Sequence, residues 1–158
     1  MTRIALIALT TLGLATAADA TTINVAFSED FAEKLEDDYG VREGAKLAEE
    51  IIEDLERELD GMDDTVERID VMILDAKPNR PTFEQISGSP GLDPFRSVSI
   101  GGMSLAGTIT HADGDVSEVE YMWFENDIRN SVGTSVWWDA NRVSRRFAKR
   151  VAESVSGE

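Results

Sequence analysis

Arg80 stands two residues after Pro78 and directly before Pro81, in a stretch (KPNRPTFEQISGSPGLDP, residues 77–94) that holds all four prolines of the chain. Proline fixes φ near −65°, so the backbone here is stiff and extended, and ordering the Arg80 guanidinium costs less entropy. Arg80 and Arg96 together are suited to gripping a carboxylate bidentately, and Phe83 between them is suited to anchoring a peptide. A second concentration of cations lies at the other end of the chain. Arg142, Arg145, Arg146, Lys149 and Arg150 follow one another with no acid between them. Such a run can dock on an acidic partner or on anionic lipid headgroups, or it can simply offset the dipole at a helix C-terminus. Trp123 reads as core. Trp137 and Trp138 are adjacent, so helix geometry turns one of them away from the other, and Trp137 joins the partner-binding set with Arg80, Phe83, Arg96, Arg145, Arg146 and Arg150.

The residue types of catalysis are sparse. With no cysteine there is no thiolate metal site, cysteine nucleophile or disulfide. His111 is the only histidine, so neither a multi-histidine zinc site nor a Ser-His-Asp triad is expected from it. Asp60, Asp63 and Asp64, and likewise Asp113, Asp115 and Ser117, lack the spacing of a calcium loop and read as turn residues. Gly101-Gly102 is followed by no lysine and opens no helix, so it is not a phosphate loop. No catalytic residue, metal or cofactor is expected. A competing reading is a small-molecule binder or carboxylate-dependent hydrolase. Its site would lie between a sheet and loop 77–96, lined by Arg80, Arg96, Asp75, Glu84 and Asp93.

The elements that must position these residues follow from hydrophobic periodicity. Thr22–Phe27 alternates and predicts a strand. From Glu29 to Leu59 the apolar residues recur at helical spacing: first Phe31, Leu35 and Tyr39, then Leu47, Ile51, Leu55 and Leu59. Gly40 and Gly44 predict a break near Tyr39–Val41. Val66–Ala76 predicts a central strand, apolar on both faces from Val71 to Leu74. Residues 77–94 form a long loop, and a third strand runs from about Phe95 to Thr110. The apolar parity of that strand flips at Gly101-Gly102, the sign of a bulge. Asp113-Gly114 closes a hairpin onto a strand from Val116 to Phe124. A last helix covers about Ser135–Val155, with Val136, Ala140, Val143, Phe147 and Val151 inward and Thr134 or Ser135 as its cap. The order β-α-β-β-β-α predicts an α+β two-layer sandwich, a mainly antiparallel sheet with two helices on one face.

The chain's 158 residues carry a formal net charge of −16 at pH 7. Between Glu29 and Asp70 there are 18 acids against five bases. Such a surface repels phosphate backbones, which argues against nucleic acid as a partner. Residues 1–20 carry Arg3, an apolar run from Ile4 to Ala15 and the Ala18-Asp19-Ala20 pattern. They read as a signal peptide cleaved after Ala20, leaving one domain over residues 21–158. A run of that length is too short to span a bilayer, so no transmembrane anchor is expected in the mature protein. A small exported domain without disulfides suits a bacterial periplasm.

Four segments carry a resemblance across the mature chain: TINVAF, REGAKLAEEIIEDLERELD, SVSIGGMSLAGTITHADGDV and WWDANRVSRRFAKRVAESV. In that organisation the chain resembles small bacterial envelope domains of unknown function. It is similar to auxiliary envelope lipoproteins, although it has no lipobox cysteine. The resemblance implies a periplasmic accessory or binding protein that contacts an envelope protein, through loop 77–96 or the basic C-terminal helix. It brings no site residues with it.

Overall fold

The computed structural model describes residues 21–62 and 65–157. The expected signal peptide, residues 1–20, lies outside the described residues, as do Asp63 and Asp64 of the first acidic turn.

Strand β1 (Thr22–Phe27) runs into helix α1 (Glu29–Lys34), whose first turn is capped by Ser28 Oγ accepting from Phe31 N. A π-helical turn, Leu35–Tyr39, follows, and then helix α2 (Val41–Glu58). The expected break falls at Gly40, whose φ of +94° and ψ of +132° belong to a region that side chains other than glycine's rarely enter. Phe31, Leu35, Tyr39, Leu47, Ile51, Leu55 and Leu59 are all buried, so the two stripes read from the sequence are the inner face of one interrupted helix.

Strands β2 (Val66–Lys77), β3 (Gly102–His111) and β4 (Val116–Phe124) complete a sheet of order β1-β2-β3-β4. The first pair is parallel and the other two are antiparallel. Helix α4 (Trp138–Ser156) lies against β3 and β4, while α2 packs on β1 and on α4. The architecture is therefore α+β: a mainly antiparallel sheet with both long helices on one face. Ile69, Val71 and Ile73 of β2 point into the layer between sheet and helices. So do Met103, Leu105 and Ile109 of β3, against Val143, Phe147 and Val151 of α4.

Several expectations need correction. A short helix, α3 (Phe83–Gly88), stands inside the predicted loop and adds an element to the expected order. It forms because Thr82 and Gln85 make a reciprocal capping box, Thr82 Oγ1 accepting from Gln85 N and Gln85 Oε1 from Thr82 N. The third strand starts at Gly102 rather than Phe95. Ser99 N donates to Asn79 O, so the preceding segment pairs with the loop instead of extending β3. The register irregularities also sit elsewhere, in β2 between Val66 and Arg68 and between Ile73 and Asp75. Gly102 itself has φ +155°, and its backbone lies so close to Trp123 O and Phe124 that a Cβ would collide.

β2 is central within the sheet, as expected, and its outer face is open: Met72 and Leu74 are exposed. One further correction concerns α4. Neither Thr134 nor Ser135 caps α4. Its N-cap residue is Trp137, without a side-chain hydrogen bond, and the free N–H of Asp139 is taken by Asn79 Oδ1 at 2.8 Å from the distant loop.

Candidate functional site

At the carboxyl end of β2 the chain turns through Pro78-Asn79-Arg80-Pro81, and three neighbours close around it. They are the π-helical turn with Asp38 and Tyr39, helix α3 with Gln85, and the segment Ser97–Ile100. Together they enclose a half-open cavity of 340 Å³. Its wall mixes Pro78, Pro81, Leu92, Val98 and Ile100 with the polar groups of Tyr39, Lys77, Arg80 and Gln85. That volume lies near the lower end of the range for small-molecule pockets.

Asn79 does not line the cavity but fastens the turn that does. It is fully buried; its N–H donates to Val136 O at 2.6 Å, and Nδ2 donates to Asp139 Oδ2 at 2.6 Å and to Ser99 O at 3.3 Å. Loop, helix N-terminus and the segment before β3 are thereby tied at one side chain. Arg80 adds a second tie. Its Nη1 donates to Phe95 O at 2.5 Å, while Nε and Nη2 donate to Gly133 O at 3.3 Å. The stiffness expected around Arg80 thus holds two loops together by way of backbone carbonyls, and three of its five N–H groups go to that work.

The remaining candidates marked by the sequence are dispersed, and one of them needs correction. Arg96 is exposed and contributes no wall to the cavity. Phe83 is 79% exposed at the start of α3, and Phe95, which the sequence did not single out, is 84% exposed. Trp137 is buried at 5% exposure, with its ring edge-on to Tyr39 and Nε1 donating to Glu43 Oε2 at 2.7 Å. It is a core residue, because an indole N–H buried between two helices needs a partner and Glu43 supplies one. Its neighbour Trp138 is the one that reaches solvent.

The acids of the competing reading do not converge. Asp75 pairs with Lys34 at 2.8 Å, and that hydrogen bond raises the lysine above its ordinary value. Asp93 accepts from the N–H groups of Phe95 and Arg96 in a turn. Glu84 lies beside Gly40. Only Asp38, which receives Gln85 Nε2 at 3.0 Å, brings a carboxylate to the cavity wall. Among the described residues no cluster of three or more His, Asp or Glu is placed to hold a metal ion. His111 Nε2 meets Ser117 Oγ at 2.8 Å across the hairpin, and Asp113 accepts from Asp115 N in its turn.

The basic face of α4 lies over the aromatic side chains of β4. The Arg142 and Arg146 guanidinium groups sit 4.9 and 5.8 Å from the Trp123 ring centre, and Arg150 sits 4.6 Å from that of Tyr121. Arg146 also donates to Tyr121 Oη at 3.1 Å. Arg145, Arg146, Lys149 and Arg150 are all exposed, with Arg142 half-buried and Arg145 near enough to Glu50 of α2 to attract its charge. No helix among the described residues is long and apolar enough to cross a membrane.

Tyr39, Lys77 and Gln85 line the cavity without having been marked by the sequence. Tyr39 reads there only as the last position of a core stripe. A Thr-x-x-Gln spacing at 82–85 was the available signal for Gln85. Searches of the sequence against protein-family models and against curated proteins gave no match.

Proposed function

We propose that this chain is an exported, non-enzymatic accessory protein of the bacterial envelope, released into the periplasm by cleavage after Ala20. It contacts an envelope protein through loop 77–96. The observation that carries this reading is the display of Phe83 and Phe95, 79% and 84% exposed, on a segment clamped at several points. Arg80, the capping box of α3 and the Asp93 turn hold the backbone beneath them. Aromatic side chains on a pre-ordered backbone lose little freedom when a partner covers them, which is what interface anchors require. Contact through the basic helix receives less support, because Arg146 and Arg150 are stacked on Trp123 and Tyr121.

The test is photo-crosslinking from position 95 in intact envelopes. A discrete adduct is expected, competed away by the purified domain but not by its F83S/F95S variant. Adducts from positions 145 or 149, with none from 83 or 95, would move the contact to the helix and overturn the loop reading.

A further inference from the structure

The 340 Å³ cavity at the end of β2 carries an observation that the docking reading leaves unused. Tyr39 is 8% exposed and lines the cavity, yet its hydroxyl meets no hydrogen-bond partner among the described residues. It is not sealed in protein either: the one fully buried side-chain oxygen or nitrogen without a partner among those residues is Ser131 Oγ. The Tyr39 hydroxyl is therefore reached by solvent with its O–H unspent, on a residue that lines the cavity. Burial pushes the phenol above its ordinary value, with the charge of Asp38 acting in the same sense, so it remains a donor at neutral pH.

The charge on the same wall has an unexpected sign. In a chain of net charge −16 the lining holds Lys77 and Arg80 against Asp38 alone. Asp38 is engaged by Gln85, and the Lys34–Asp75 pair nearby is neutral as a unit. Lys77 makes no ion pair among the described residues, and Arg80 keeps two N–H groups beyond those given to Phe95 O and Gly133 O. The same lining includes the apolar side chains of Pro78, Pro81, Leu92, Val98 and Ile100. The π-helical turn brings Asp38 and Tyr39 to this place, and such turns recur at functional sites.

We propose that this cavity binds a small organic carboxylate with an apolar body, its carboxylate held by Lys77 and by the Tyr39 hydroxyl. Proline and aliphatic side chains take the apolar body, and Arg80 holds the rim while adding positive charge. The site stands independently of the docking surface at Phe83 and Phe95.

Phenylacetate is the probe, titrated calorimetrically against the purified domain, with phenylacetamide as its uncharged counterpart and inorganic phosphate as an anion without an apolar body. Saturable binding of phenylacetate is expected, with the amide weaker by about tenfold or more, since the lost contact is charge-assisted. Phosphate should give no saturable heat. Tyr39→Phe keeps the ring against Trp137 and removes only the hydroxyl; it should weaken binding about tenfold with an unchanged thermal midpoint. Lys77→Gln should do the same, while Lys149→Gln on α4 should not. Equal affinity for acid and amide would overturn the proposal, as would undiminished binding by both Y39F and K77Q. Failure of phenylacetate to saturate at about 10 mM, an affinity too weak for a built site, would overturn it as well.

Discussion

Asn79 concentrates more of the structure than any other polar side chain in the loop. Its amide gives and takes hydrogen bonds with Asp139 at 2.6 and 2.8 Å, where both residues are fully buried. Arg142 reaches the other carboxylate oxygen at 3.3 Å, so Asp139 depends on Asn79 for much of the polarity around it. Asn79→Ala would leave a buried carboxylate and a buried N–H short of partners, a loss of about 2–4 kcal/mol. The urea midpoint should fall accordingly at unchanged slope. Asn79→Asp is the sharper experiment, because it sets one carboxylate against another. Its deficit should exceed that of the alanine variant at pH 7.5 and shrink as pH falls, since one proton shared between the carboxyls removes the repulsion. A deficit of N79D that is constant between pH 7.5 and 5 would contradict the assigned contact. An asparagine between two prolines is a turn signal in sequence. That it caps a helix sixty residues away is invisible there, because the pairing depends on tertiary packing.

The elements show where periodicity suffices and where it stops. Strands β1 and β4 and the paired helical stripes follow directly from alternation and four-residue recurrence, because burial on one face is what writes those patterns. Where a residue answers to a local hydrogen bond instead of to the core, the pattern misleads. Val98 and Ile100 alternate like strand residues, yet Ser99 pairs with Asn79 and the segment becomes cavity wall. Met72 and Leu74 continue the apolar run of β2, yet they lie on the open side of the sheet. The cavity was legible only in part. Arg80 was marked for its prolines, but Tyr39 owes its place to a π-helical turn ended by Gly40. That glycine offers an element-scale prediction. Its φ of +94° forbids a Cβ at low cost, and the added atom would also lie 3.3 Å from Glu84 Cβ. Gly40→Ala should therefore destabilise by about 1–3 kcal/mol. It should also weaken phenylacetate binding beyond what Tyr39→Phe does, since the whole turn shifts. Destabilisation with unaltered binding would show that the turn does not position the phenol.

At the scale of the whole molecule, the distribution of 31 acids decides how stability responds to pH and salt. Glu50 on α2 is held above its ordinary value, first by burial and then by Asp54 and Glu53, with Arg145 and Arg57 opposing. A carboxyl whose folded pKa exceeds its unfolded one binds its proton more tightly in the fold. Stability from this group therefore rises as pH falls through the folded value. Glu125 and Asp127 act in the opposite sense. Backbone N–H donation from Asp127 chiefly lowers Glu125, and Arg129 lowers Asp127. Their contribution is present above the unfolded values, about 4.3 and 3.9, and is lost as pH falls through the lowered ones. Relief of self-repulsion adds to the first trend, because a net charge of −16 strains the compact state at neutral pH. The melting temperature should therefore rise as pH falls from 7.5 toward the carboxylate range and fall again below about pH 4. Raising salt should increase it at pH 7.5 more than within that range, since the screened repulsion is larger at pH 7.5. Glu50→Gln should melt above wild type at pH 7.5, and the gap should close with acidification. A gap that widens toward low pH would mean that Glu50 is stabilised as the anion, and that the arginines of α4 govern it in place of burial.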